Sequence, residues 1–396
     1  MSEPHCVACF IGTRPEAIKM APVIRAVNAH PALEARVVST GQHREMLRQV
    51  VDLFGIEVHA ELDVMRPGQA LAGLTARLLE GIDAELDAHR PAFALVQGDT
   101  TTVLAAALAC FYRRVPFGHV EAGLRSGDLG QPFPEEGNRL LATRLAALHF
   151  PPTRVSEANL LREGVPAERI AVTGNTVIDA LHAEVARQEA PGVTEAIDDA
   201  LTGGAAALPP GTLAGPYVLI TGHRRENFGG GFERVCGAVA RLAGRFPRCG
   251  FVYPVHLNPA VQEPVRRLLG GLPNVSLLPP QPYAPFVRLM RGARLLLTDS
   301  GGVQEEAPGL GKPVLVTRET TERPEGVDAG TVELVGTDPD RIEARVARLL
   351  TDEDAYAAVA RAQNPYGDGH AAGRVAEAVA GWLELNPPAA AADGRG

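Results

Sequence analysis

The sequence predicts an α/β protein of two doubly wound, Rossmann-like domains whose parallel sheets face each other across a central cleft. Three observations lead there. Short apolar runs alternate with stretches of helical period; the alternation stops between about Ala190 and Pro216, where Ala, Gly, Pro and Thr dominate; and it then resumes. At 396 residues with 45% apolar content the chain is too long for one ordinary core. The expected division is a first domain over 1–190, a linker over 191–215, a second domain over 216–386 and a frayed tail over 387–396.

The first unit of the alternation is the run Cys6 to Ile11, then Gly12-Thr13-Arg14-Pro15-Glu16, then AIKMAPVIRAVNA, which has helical period. Pro15 and Glu16 suit a helix start, and Arg14 and Lys19 place two cations where open α/β sheets bind ligands. Ala35 to Thr40 is a second strand, leading through Gly41-Gln42-His43-Arg44 into a helix, and Gln69 to Ala88 is a long amphipathic helix. FALVQ ends in Gly98-Asp99 before a helix of small residues. VPFGHV then opens a long charged loop from Glu121 to Arg139, a length that favours function. In the second half YVLITG leads to His223, FVYPV to His256, and LLLTD to Ser300-Gly301-Gly302. There glycines permit a close backbone approach and a helix expected from Val303 offers unpaired N–H groups to an anion. With Glu306 one turn in, able to accept from ribose hydroxyls, the stretch suits a nucleotide diphosphate. A ligand-free tight strand-helix connection reads equally well from this stretch alone.

Composition removes several function classes. A formal charge of -9 lacks the footprint of a general nucleic-acid binder. The five cysteines show no metal or extracellular spacing, and Cys6 and Cys9 sit inside a strand-like run, so they read as buried thiols. No leader or membrane span is evident, which places the protein in the cytoplasm. Neither a metal nor a nicotinamide is expected, since no clustered Cys/His set, GxGxxG or P-loop is present.

Several stretches resemble the non-hydrolysing UDP-N-acetylglucosamine 2-epimerases: GTRPEAIKMAPV (from Gly12), TGQHREML (from Thr40), QGDTTT (from Gln97), HVEAGLRSGD (from His119), PFPEEGNR (from Pro132), TGNTVIDAL (from Thr173), TGHRREN (from Thr221), YPVHLNP (from Tyr253) and TDSGGVQEEAPGLGKPVL (from Thr298). The resemblance implies a glycosyltransferase-B type fold and interconversion of UDP-GlcNAc with UDP-ManNAc, by anti elimination of UDP to 2-acetamidoglucal and re-addition. C2 has no adjacent carbonyl, so the C1–O bond must loosen while a base takes the C2 proton and cations hold the departing UDP. The family's catalytic groups match Asp99, Glu121, Glu135 and His223. Each also admits a structural role: Asp99 as a helix cap, the two glutamates as solvated loop charges, His223 at a strand end. Ligand contacts carry over as Arg14, Lys19, Ser300, Gly301, Gly302, Glu306 and Arg323, with Gln281 and Phe286 against uracil. Substrate activation at a second site would fall to Gln42, Gln69, Glu136, Arg224 and His256, although an arginine preceding Gln69 in some members is Gly68 here. A homodimer, with UDP-sugar as the partner ligand, is also expected. A UDP-sugar glycosyltransferase on the same scaffold, a non-catalytic nucleotide-sugar sensor and a hydrolysing epimerase are the rival readings.

Overall fold

The computed structural model describes residues 3–41, 44–66, 68–203 and 207–387. The chain divides into two compact units, Met1–Ala180 with Gly367–Gly396, and Leu181–Tyr366. The first contains β1 (His5–Ile11), β2 (Leu33–Ser39), β3 (Ala60–Glu61), β4 (Phe93–Gln97), β5 (Phe117–Val120) and β6 (Leu148–Phe150), in the order β3-β2-β1-β4-β5-β6. The second contains β7 (Tyr217–Thr221), β8 (Gly250–Pro254), β9 (Val275–Leu278), β10 (Leu295–Thr298), β11 (Val314–Val316) and β12 (Val332–Leu334), in the order β12-β11-β10-β7-β8-β9. Every ladder is parallel. Strand order reverses between β1 and β4 in one sheet and between β7 and β10 in the other, so each carboxyl edge carries a crevice suited to a ligand.

The local sequence explains the elements around those crevices. All five residues of β4 are buried, as expected of a central parallel strand covered on both faces, and that is why FALVQ does not alternate. The following helix, Thr101–Arg113, buries Ala105, Ala106, Ala107 and Ala109, side chains small enough to bring its backbone close to the sheet. Thr100 caps it by accepting from the Thr102 amide. The helix Arg14–Ala29 begins with a capping box in which Thr13 and Glu16 satisfy each other's backbone amides. Phe10, Phe93, Phe117 and Phe150 fill the core of the first unit, and Tyr217, Phe251 and Leu295–Leu297 that of the second.

The unit boundaries differ from the sequence division in three places, and the first is that residues 181–190, expected at the end of the first domain, fall in the second unit. The expected linker contains a helix, Val193–Thr202, which buries Ile197 and Leu201 and belongs to the second unit, with Asp198 2.8 Å from Arg288 of the helix Tyr283–Gly292. Its Thr, Ala and Asp content masks so short an amphipathic period. At the other end, the helix Ala371–Leu385 rejoins the first unit against Arg14–Ala29, although it follows the second unit in sequence. Val375, Val379 and Leu383 supply its buried face, Trp382 meets Phe93 edge-on at 5.3 Å, and the Asp179 carboxylate accepts from the Ala371 and Ala372 amides at 3.2 and 2.8 Å. Residues 388–396, most of the expected frayed tail, lie outside the described residues. Among the described residues no helix is long and apolar enough to cross a membrane.

Candidate functional site

In the first unit the charged groups gather where β1, β4 and β5 end. Gly12 follows β1, and a Cβ there would lie 2.6 Å from the hydroxyls of Thr40 and Thr102, so only glycine fits. Glu16 is buried and accepts from the Gly12 and Thr13 amides at 2.7 and 2.8 Å and from the Thr100 hydroxyl. Burial pushes its carboxyl up, and these bonds only partly counter that. One turn along, Lys19 presents its ammonium to Glu121 at 2.6 Å. Glu121 follows β5 in a left-handed conformation (φ 64°) that turns its carboxylate inward, where it also accepts from Gln97 and, at 3.2 Å, from Asn175. Lys19, which the resemblance assigns to the ligand, is thus an ion-pair partner of Glu121 in this structure.

Asp99 follows β4 and is gripped by the Arg139 guanidinium, with Nε at 2.9 and Nη2 at 2.7 Å, while Asn138 donates to its backbone carbonyl at 2.8 Å. Arg139 also reaches Glu136 at 3.0 Å, and Glu136 accepts from the amides of Ser126 and Gly127 at 3.1 and 3.0 Å. Burial alone would raise the Glu136 carboxyl, but the two amides and Arg139 outweigh it and leave it below the ordinary value. The first turn of the helix Glu135–Leu145 therefore ties the long charged loop to Asp99. Glu135 is half-buried, and its Oε2 has no hydrogen-bond partner among the described residues. Gly123 (φ 85°) anchors the start of the loop, since a Cβ there would lie 2.3 Å from the Ser156 carbonyl oxygen.

Behind this edge two fully buried histidines, His119 on β5 and His149 on β6, stand in register. His119 Nε2 lies 2.6 Å from the Gly98 carbonyl oxygen and the Gly98 amide donates to Val120, so the residue before Asp99 is fastened to β5 from both sides. Burial, reinforced by the Arg125 charge and opposed by the Gly98 carbonyl, depresses His119 to about 4. Burial, with His119 and Arg125 beside it, depresses His149 to about 3. Both rings are neutral near pH 7.

In the second unit Asp299, fully buried after β10, accepts from the amides of His223 (3.1 and 3.0 Å) and Arg224 (2.9 Å) and from Asn227 (3.4 Å). The His223 ring lies 3.4 Å from the same carboxylate and stacks on His256 at 5.8 Å between centroids. Burial lowers its pKa; Asp299 opposes this, and Arg224, His256 and Arg318 add to it.

The helix expected from Val303 instead starts at Gly301 and runs to Gly309, so both glycines form its first turn. A Cβ at 301 would meet the Arg323 guanidinium at 2.6 Å, so glycine lets that group lie directly over the turn without being displaced. Arg323 is held in place by Glu305 at 2.6 Å, which accounts for a carboxylate at that position. Glu306 accepts from the Tyr283 hydroxyl at 2.8 Å. Beside them Arg318 bridges Glu226 and Glu322; burial would raise the Glu322 carboxyl, but Arg318 draws it down to about 2. A helix N-terminus roofed by a guanidinium offers a dipole and charge-assisted donors, an arrangement that suits an anion.

Of the remaining expected positions, Ser300 is the N-cap of that helix, and Gln281 donates to the Pro279 carbonyl at 2.7 Å. Phe286 is half-buried on the helix Tyr283–Gly292, and Arg14 opens the helix Arg14–Ala29. Gln69 accepts from the Arg66 amide at 3.2 Å and from Arg77. Gln42 lies outside the described residues. Sequence reasoning missed Arg139, Asn175, Gln97 and Asp299, although all four fall inside the quoted motifs; Arg139, four residues after Glu135 on one helix, carried the clearest signal.

A model of the UDP-N-acetylglucosamine 2-epimerase family matches residues 25–380. The chain is similar to the UDP-N-acetylglucosamine 2-epimerase of Yersinia pestis, at 56% identity over 94% of this chain and 98% of that one. The Escherichia coli K12 enzyme of the same name shares 54% over 94% and 98%. Among solved structures it is similar to the Neisseria meningitidis UDP-GlcNAc 2-epimerase bound to UDP-GlcNAc, with TM-score 0.87 and 44% identity over 95% of this chain and 100% of that one. With the motifs lying on the carboxyl edges of both sheets and agreement along nearly the entire length, the chain belongs to the UDP-N-acetylglucosamine 2-epimerase family.

Proposed function

We propose that this isomerase interconverts UDP-GlcNAc and UDP-ManNAc without hydrolysis. The observation that carries the reading is two differently held carboxylates, Glu121 in its Lys19–Gln97–Asn175 nest and Asp99 under Arg139, at the carboxyl edge of one sheet, with an anion seat at the same edge of the other. In the reaction the C2–H proton passes to a carboxylate, the C1–O bond breaks and its electron pair leaves with UDP, giving 2-acetamidoglucal. UDP then adds back after the opposite face of C2 is protonated. Asp99, Glu121 and Glu135 supply the proton carriers, and His223, backed by the buried Asp299, stands by for a further proton. Ser300, Gly301, Gly302, Glu306 and Arg323 hold UDP, with Arg14 and the Lys19 ammonium as further cations and Gln281 and Phe286 at the uracil. The same reading makes the protein a cytoplasmic homodimer, and exposed Phe111, Tyr112 and Leu141, on neighbouring helices of the first unit, support the dimer. Substrate activation through Gln42, Gln69, Glu136, Arg224 and His256 belongs to the same reading.

The test is NMR of the purified protein with UDP-GlcNAc in deuterated water. Deuterium at C2 of both epimers, with UDP-sugar conserved, is the expected result. Accumulation of free N-acetylmannosamine and UDP would assign a hydrolysing enzyme, and absence of C2 exchange would sink the epimerase reading.

A further inference from the structure

The anion seat is made of two pieces of chain that do not adjoin in sequence, the first turn of Gly301–Gly309 and Arg323. Glu305 joins them through its side chain, but a second clamp comes from the last residues of the second unit. The Tyr366 ring is buried at 2% exposure, and its hydroxyl lies 3.2 Å from the Arg323 carbonyl oxygen, to which it donates, while accepting from the Gly326 amide at 3.1 Å. Asn364 donates to the Glu305 backbone carbonyl at 3.4 Å and accepts from the Tyr366 amide at 3.1 Å. One three-residue segment therefore grips the backbone at both ends of the Glu305–Arg323 ion pair. Arg323 itself has irregular backbone (φ −127°, ψ 60°), one residue before the five-residue helix Pro324–Asp328, so its own local structure does not fix where it points. The next residue along the chain, Gly367, is where the first unit resumes.

We propose that Tyr366, with Asn364, is a positioning residue for the diphosphate seat. It holds the Arg323 backbone so that the guanidinium stays over the Gly301 turn. The proposal rests on the reading that this seat takes UDP. It also assigns a task to the NPYG stretch (from Asn364), which the motifs quoted above did not include.

Tyr366→Phe removes the hydroxyl and leaves the ring in its buried place. The expected result is UDP affinity lower by about tenfold, the scale of a lost hydrogen-bond pair at a binding site, with uridine affinity unchanged because uridine has no phosphate to reach Arg323. In turnover KM rises and kcat stays within about twofold of wild type, as for loss of uniform binding. In an Arg323→Ala background the same substitution should have no further effect on UDP, since its route is gone. A purely structural tyrosine would lower thermal stability and leave the ratio of UDP to uridine affinity untouched; that outcome overturns the proposal, as does an equal loss with and without Arg323. If wild type binds neither UDP nor UDP-sugar, the nucleotide reading has failed and the proposal with it, a result distinct from wild-type binding that Tyr366→Phe leaves intact. Asn364→Ser carries the same affinity comparison should Tyr366→Phe not fold.

Discussion

Acidification should destabilise the first unit through its two buried histidines, and the size of the effect follows from their surroundings. In the unfolded chain each imidazole titrates near 6.5, whereas burial depresses His119 to about 4 and His149 to about 3. Because the folded values lie below the unfolded ones, the stability these rings confer is fully present above pH 6.5. It is lost as pH falls toward the folded values, where protonation of the unfolded chain competes. Well inside that window each pH unit costs about 1.4 kcal/mol per histidine and at pH 6.5 itself half of that, so moving from pH 6.5 to pH 5 removes about 1.6 kcal/mol for each and about 3 kcal/mol for the pair. Glu16 and Asp179, pushed up by burial, act with the opposite sign, so the informative quantity is a difference between proteins. His119→Gln keeps a donor for the Gly98 carbonyl but cannot be protonated. Its stability should fall by about 1.6 kcal/mol less than that of wild type over the same pH interval. Urea unfolding read by tryptophan fluorescence suits the test, because the single tryptophan, Trp382, packs on Phe93 of β4 and reports the first unit alone. Equal pH dependence in wild type and His119→Gln would refute the assignment of a buried neutral imidazole.

Three further outcomes are expected. Glu121→Gln or Asp99→Asn should lower kcat by about a hundredfold or more, with UDP affinity near normal by calorimetry, because each removes a proton carrier while keeping its shape; wild-type C2 exchange in both would remove these carboxylates from the mechanism. Arg323→Ala and Glu306→Gln should weaken UDP binding by about 1–3 kcal/mol, and unchanged affinity in both would place the diphosphate elsewhere. Gly123→Ala combines a left-handed backbone angle with a Cβ 2.3 Å from the Ser156 carbonyl, so a loss of more than about 2 kcal/mol is expected in the same urea assay, and a stable variant would contradict that packing.

Much of this protein is determined by short-range physics that its residues state directly. Unalternating apolar runs such as FALVQ mark strands buried on both faces, and helical runs between them force parallel pairing. The motif residues then fall on strand carboxyl ends because that is where loops leave a parallel sheet. Three matters were decided only by tertiary structure. The C-terminal helix Ala371–Leu385 joins the first unit because its apolar face fits Arg14–Ala29 and Asp179 caps it, a partnership between residues nearly two hundred positions apart. Gly301 has no positive φ but lies directly under the Arg323 guanidinium, where a Cβ would have to displace that group, and local sequence cannot tell these two uses of glycine apart. Finally, Lys19 pairs with Glu121 and Arg139 with Asp99, since which cation meets which carboxylate depends on the distances between strand ends, and no periodicity in the chain encodes those.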